Sequence, residues 1–236
     1  MVKVITLKIA GTEFKTGEGK TILDLARTNA IFIPTLCNFK GLSNVGACRL
    51  CMVEIRGVPR LLPACATQVA EGMDVTVDSP RLAKYRKMIL ELLFAERNHV
   101  CAACVSNGHC ELQALAQRLG VDHTRYPYRY PVYKFDASHA RFNYDANRCI
   151  LCTRCMRVCE EVEGARTWNV MGRGINSVMV TDLHQAWGRS PTCTSCSKCV
   201  HVCPTGALSE KGSAVGEMVP RENVIPYLTS MRYSGR

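Results

Sequence analysis

Cysteine spacing carries most of the chemistry this sequence can do. Two runs share one register: Cys149-x2-Cys152-x2-Cys155-x3-Cys159, and Cys193-x2-Cys196-x2-Cys199-x3-Cys203 followed by Pro204, where the first run has Glu160. Three thiolates at intervals of three wrap one 4Fe–4S cubane, and a fourth displaced by one residue reaches a second cubane. The register therefore groups Cys149, Cys152 and Cys155 with Cys203, and Cys193, Cys196 and Cys199 with Cys159. Paired CxxC segments also suit structural zinc, but a zinc site takes four ligands and has no use for the third step of each run.

Two further groups precede the runs. Cys37-x10-Cys48-x2-Cys51-x13-Cys65 offers two thiolates from a tight loop and two from distant positions, as a 2Fe–2S rhomb with two ligands per iron requires. Cys101-x2-Cys104-x5-Cys110 supplies only three, so a cubane there needs a fourth ligand, for which His99 and His109 are the local candidates. A neutral imidazole in place of a thiolate lowers the negative charge around a cluster and raises its potential. One rhomb and three cubanes use all fifteen cysteines and one histidine, leaving no thiol for nucleophilic or nickel chemistry. No Gly-x-Gly-x-x-Gly or P-loop segment is present, and no catalytic residue is expected.

The elements that must position these ligands are legible in outline. Val2–Ile9 alternates as a strand, Ala10–Gly11 turns it, and a helix from Ile22 to Asn29 starts at Thr21 with Asp24 at the capping-box position. Met52–Arg56 and Arg60–Leu62 read as a hairpin turned at Gly57–Val58–Pro59, with a short strand at Asp74–Val77. Ser79–Pro80 opens a helix reaching about Glu96 with Leu82, Tyr85, Ile89, Leu92 and Leu93 as its apolar stripe. Another helix, Glu111–Leu119, presents Leu112, Leu115 and Leu119; residues 121–143 read as an irregular connector and 209–236 as an extended tail. The fold class is thus α+β, with a plant-type ferredoxin-like (β-grasp) 2Fe–2S domain over 1–78, a small helical His/Cys cubane domain with its connector over 79–143, a bacterial two-cluster ferredoxin-like domain over 144–208, and the tail over 209–236.

Polar residues between the ligands, such as Thr153, Thr194 and Ser195, suit loops whose amides turn toward sulfur, or are simply turn formers. Arg148, Arg154, Arg157 and Lys198 beside the ligands offset cluster charge, dock an acidic partner or form a solvated face. The formal charge of +10 invites a nucleic-acid reading. Ligated thiolates and four oxidised cores bring that sum to about +3, so the basic excess largely balances the clusters. MVKVITLKIAG lacks the charged-then-apolar order of a secretory leader, and no apolar run spans a bilayer. A cytoplasmic protein without a membrane span or nucleic-acid partner is expected.

Taken in order, the three cysteine blocks resemble the electron-input module of the complex I large iron–sulfur subunit and of iron-only hydrogenases. In that family a His-x3-Cys-x2-Cys-x5-Cys pattern ends in a Cys-Glu-Leu-Gln segment. Asn98–His99 and Cys110–Glu111–Leu112–Gln113 match it, with His99 only one residue before Cys101. The resemblance implies His99 as the sixteenth ligand. Across residues 1–210 the chain is similar to the diaphorase iron–sulfur subunits of cytosolic NAD-reducing nickel–iron hydrogenases, whose length its end at 236 also suits. That resemblance implies a non-catalytic electron relay within a hydrogen:NAD oxidoreductase hetero-oligomer. Its partners would be a flavin- and NAD-binding diaphorase subunit and the hydrogenase small and large subunits, which would hold FMN, NAD and the nickel–iron site. The competing readings are the same relay in an NAD-linked formate dehydrogenase or complex I-like enzyme, and a basic zinc-ribbon nucleic-acid module.

Overall fold

The computed structural model describes residues 4–219 together with Ile225 and Pro226, so the expected strand start at Val2 and most of the 209–236 tail lie outside the described residues. Two compact units emerge: Met1–Asn38 with Asn44–Leu90, and Phe39–Ser43 with Glu91–Arg236.

The first unit is built on a five-stranded sheet of order β2-β1-β5-β3-β4, comprising β1 (Val4–Ile9), β2 (Thr12–Gly17), β3 (Met52–Ile55), β4 (Val58–Pro63) and β5 (Asp74–Thr76). Alternation in β1 buries Ile5, Leu7 and Ile9, as a strand with one face on a core must. Ala10 and Gly11 both take positive φ, 51° and 79°, the backbone of a tight hairpin. β1 also pairs in parallel with β5, Ile9 opposite Val75. The β3–β4 turn falls at Arg56–Gly57, with Val58 and Pro59 already in the strand, one step earlier than the sequence suggests. Helix α1 (Ile22–Thr28) packs Ile22, Leu23, Leu25 and Ala26 into the core. Its start is the expected capping box: the Thr21 side chain accepts from the Asp24 N–H, and the Asp24 carboxylate accepts from the Thr21 N–H.

Helix α2 (Pro80–Glu96) begins as expected, with the Leu82 N–H donating to Ser79 Oγ at 3.2 Å. Its buried stripe differs from the sequence reading. Tyr85 and Leu92 are each 41% exposed, whereas Leu82, Arg86 and Leu90 are buried. The Arg86 guanidinium donates to the carbonyls of Leu50, Met52 and Val77. Three acceptors satisfy a buried cation that an apolar pattern cannot anticipate.

The second unit holds α3 (Glu111–Arg118), α4 (Arg154–Arg157), α5 (Lys198–His201), and the strands β6 (Phe135–Asp136), β7 (Phe142–Asp145), β8 (Trp168–Met171), β9 (Val178–Thr181) and β10 (Leu208–Glu210). β10, β7 and β6 form one antiparallel sheet, and β8 with β9 a hairpin. A π-helical turn, Val158–Glu163, follows α4 and carries Cys159; such wide turns recur at functional sites. The core is aromatic, with Trp168, Trp187 and Phe142 each at most 2% exposed. These strands are two to four residues long, too short for alternation to mark them.

Candidate metal centres

In the first unit the four cysteines of the proposed rhomb converge. Cys37, Cys51 and Cys65 are buried and Cys48 is half-buried. Cys37 bonds to Cys48 and Cys65, and Cys51 bonds to Cys65. The hydrogen bond from Cys48 pulls the Cys37 thiol far down, with Cys65 adding to it, while Cys48 and Cys65 are driven up. Four such sulfurs cannot all ionise in one place without cations between them, which suits a thiolate-bound iron cluster. Gly46 and Arg49 take left-handed backbone, φ 60° and 57°, curling the loop around the thiols, and the Leu36 N–H donates to Cys48 Sγ at 3.4 Å.

The histidine block surrounds a small cavity lined by His99, Cys101, Cys104 and Cys110, with Thr205 and Gly206 in the wall. Cys101 opens a short 3-10 turn, and Cys110 directly precedes α3. The His99 Nε2 is buried without a hydrogen-bond partner, so a neutral ring protonated at Nδ1 leaves the Nε2 lone pair available. Burial, with Arg97 and Arg148 nearby, holds the imidazole pKa down at about 4, so the ring is neutral, as a ligand requires. Phe94 packs edge-on against it at 5.3 Å. His109 is exposed and does not line the cavity.

Each cysteine run frames its own cavity, and the fourth cysteines cross over. One small cavity is lined by Cys149, Cys152, Cys155 and Cys203; another by Cys193, Cys196, Cys199 and Cys159. The repeat extends to the backbone. Leu151 and Thr153 in the first run, and Ser195 and Ser197 in the second, hold positive φ of 53°, 60°, 58° and 62° at matching positions. Left-handed backbone costs an L-residue about 1 kcal/mol, and alternating it with right-handed residues turns successive amides into a concave anion cradle. N–H groups of Leu151 and Arg154 bond Cys149 and Cys152, and the Thr167 N–H donates to Cys159 Sγ at 3.3 Å. Burial pushes Cys149, Cys155 and Cys199 up and Cys152 up to about 12. These thiols lose their protons only to a strongly bound cation.

Of the basic residues flagged beside the ligands, Arg154 and Arg157 are not a solvated face; each is 2% exposed. Arg154 Nη1 and Nη2 donate to the two carboxylate oxygens of Glu111 at 2.5 and 2.7 Å, and Nη1 also to the Val202 carbonyl. Its charge acts on Cys152 and Cys203. Arg157 donates to the carbonyls of Ser43 and Cys152, and Lys198 pairs with Glu163. Trp187 and Gly206 also border the cavities, and His139 Nε2 lies 3.8 Å from Cys193 Sγ; no spacing pattern in the sequence marks these contacts.

Three family profiles match successive stretches: a 2Fe-2S iron-sulfur cluster binding domain over residues 2–80, the NADH-ubiquinone oxidoreductase-G iron-sulfur binding region over 86–125, and the ferredoxin-like domain of NADH-quinone oxidoreductase subunit 3 over 141–209. The gamma subunit of the NAD-reducing hydrogenase HoxS of Cupriavidus necator is 35% identical, over 88% of this chain and 87% of that subunit. HndD of the NADP-reducing hydrogenase of Solidesulfovibrio fructosivorans is 38% identical over 89% of this chain, and an NADH-quinone oxidoreductase chain of Rhizobium meliloti 37% over 87%. The chain spans only 36% and 24% of those two longer relatives. A chain in the crystal structure of an NAD+-reducing [NiFe]-hydrogenase in the H2-reduced state superposes with a TM-score of 0.82 at 35% identity, covering 89% of this chain and 88% of that one.

Proposed function

This chain belongs to the family of iron–sulfur subunits typified by the gamma subunit of NAD-reducing hydrogenase, and from that premise we propose that fifteen cysteines and His99 hold one 2Fe–2S and three 4Fe–4S clusters as an electron relay. The observation that carries the reading is the match between cavities and ligand sets: three cavities, each lined by one of the groups that spacing defines, with His99 Nε2 left without a partner in the first of them. In this reading the rhomb takes Cys37, Cys48, Cys51 and Cys65. One cubane takes His99, Cys101, Cys104 and Cys110, and the other two take the crossed sets of the repeat. The domains follow as 1–78, 79–143 and 144–208, with 209–236 as the tail.

When bound, such clusters exchange single electrons at potentials set by ligand type, burial and hydrogen bonds to sulfur. The chain's own part is to hold the ligands, exclude water and aim amides at sulfur, and Arg154 adds a buried positive charge. His99 offers a buried Nε2 without a hydrogen-bond partner. No residue set among those described suggests a catalytic centre, so the chemistry at hydrogen and at NAD would belong to partners. We assign it to a cytoplasmic hetero-oligomer with a flavin- and NAD-binding diaphorase subunit and the small and large subunits of a nickel–iron hydrogenase.

The same relay in a formate dehydrogenase or complex I-like enzyme is the second reading, favoured by the similar identity of the quinone oxidoreductase relative. Affinity purification of the native complex, followed by nickel and flavin analysis, separates the two. Stoichiometric nickel with flavin supports the hydrogenase; flavin with molybdenum or tungsten, or flavin alone, overturns it.

A further inference from the structure

The indole Nε1 of Trp187 donates to Cys193 Sγ at 3.2 Å. Trp187 is 1% exposed and fixed on every side that the structure describes. Its ring stacks on Phe142 at 5.5 Å and 21°, meets Trp168 edge-on at 4.9 Å, and packs at 4.8 Å against His139. Its backbone N–H donates to Asp136 Oδ2 at 2.8 Å, and the next N–H, of Gly188, to Ser138 Oγ at 2.8 Å. A Cβ on Gly188 would lie 2.2 Å from the Ser138 carbonyl oxygen, so this close seating of the 187–188 segment excludes any larger residue at 188.

His139 Nε2 also lies near the same sulfur. His139 Nδ1 accepts from the backbone N–H groups of Arg141 at 3.0 Å and Phe142 at 3.3 Å. The ring proton therefore sits on Nε2, which lies 3.2 Å from Ser195 Oγ and 3.8 Å from Cys193 Sγ. His139 is 6% exposed. The equivalent first cysteine of the other run, Cys149, shares its cavity with a hydroxyl, that of Tyr144. The duplicated spacing thus conceals unequal surroundings for the two first sulfurs.

We propose that Trp187, supported by His139, is a positioning residue that sets the potential of the cubane held by Cys193, Cys196, Cys199 and Cys159, raising it through an N–H···S bond to Cys193. This rests on the ligand assignment proposed above. Adding an electron increases the negative charge on the sulfurs, so a fixed N–H dipole aimed at one of them stabilises the reduced form more than the oxidised one. Rigid packing matters because a donor already in place needs no reorganisation when the charge changes.

The test is an EPR-monitored redox titration of the holoprotein with Trp187→Phe, which keeps an aromatic ring and removes the donor. One cubane signal is expected to move to a more negative midpoint potential while the others stay in place. Unchanged potentials for every cubane would overturn the proposal. If the phenylalanine variant does not retain iron, benzothienylalanine at position 187, isosteric with tryptophan but lacking the N–H, gives the same two outcomes. Absence of all cubane signals from the unsubstituted protein would instead defeat the ligand assignment on which the proposal stands.

Discussion

Gly206 lies so close to Cys104 that a Cβ placed on it would stand 2.5 Å from the Cys104 sulfur. Gly206 follows the second cysteine run by three residues, and Cys104 belongs to the histidine block. The backbone after one ligand set therefore forms the wall of another. Gly206→Ala must push Cys104 out of place, and overpacking of this kind costs about 1–3 kcal/mol. Iron analysis of the variant should show a loss of about four atoms per chain, confined to the EPR signal of the histidine-block cubane, with the other signals intact.

His99 and His109 separate cleanly by substitution. Nε2 of His99 is buried without a partner, while His109 is exposed. His99→Ala should change or abolish one cubane signal, and His109→Ala should leave every signal as it was. His99→Cys should retain the cluster at a more negative potential, because a thiolate adds charge where the imidazole is neutral. EPR of the reduced variants distinguishes these outcomes.

The Arg154–Glu111 pair predicts a non-additive double mutant. Arg154 is buried and Glu111 accepts from both of its terminal nitrogens. Removing one partner strands a buried charge at a cost of about 3–5 kcal/mol. Glu111→Ala should lower the melting temperature sharply, and adding Arg154→Met should restore part of the loss. Differential scanning calorimetry on the four proteins measures the coupling.

The capping box on α1 gives a smaller, purely structural effect. Thr21→Ala removes an acceptor for the Asp24 N–H and should destabilise the first unit by about 1 kcal/mol. A shift of a few degrees in thermal unfolding with unchanged iron content is the expected result.

Local features were readable from the sequence because their partners are near in the chain. The Thr21–Asp24 capping box and the Ser79 cap span a few residues, and each has the expected partners in the fold; the cysteine runs likewise repeat in short fixed steps. Features that depend on distant partners were not readable. Arg86 is buried with carbonyls between 9 and 36 residues away accepting from it, and Tyr85 and Leu92 on the same helix are exposed. Gly206 matters through its approach to distant Cys104; Trp187 is near Cys193 in the chain, but its side-chain bond to that sulfur follows no periodicity. His99 falls between these cases: its residue type and neighbourhood made it one of two candidates, and its place in the cavity wall with a buried, unpartnered Nε2 separates it from the exposed His109.

The central claim is that four clusters occupy the four ligand sets. Iron, zinc and acid-labile sulfide should be measured per chain on anaerobically purified protein. The account predicts about fourteen iron and about fourteen sulfide with negligible zinc. A colourless protein with stoichiometric zinc and no sulfide would contradict it.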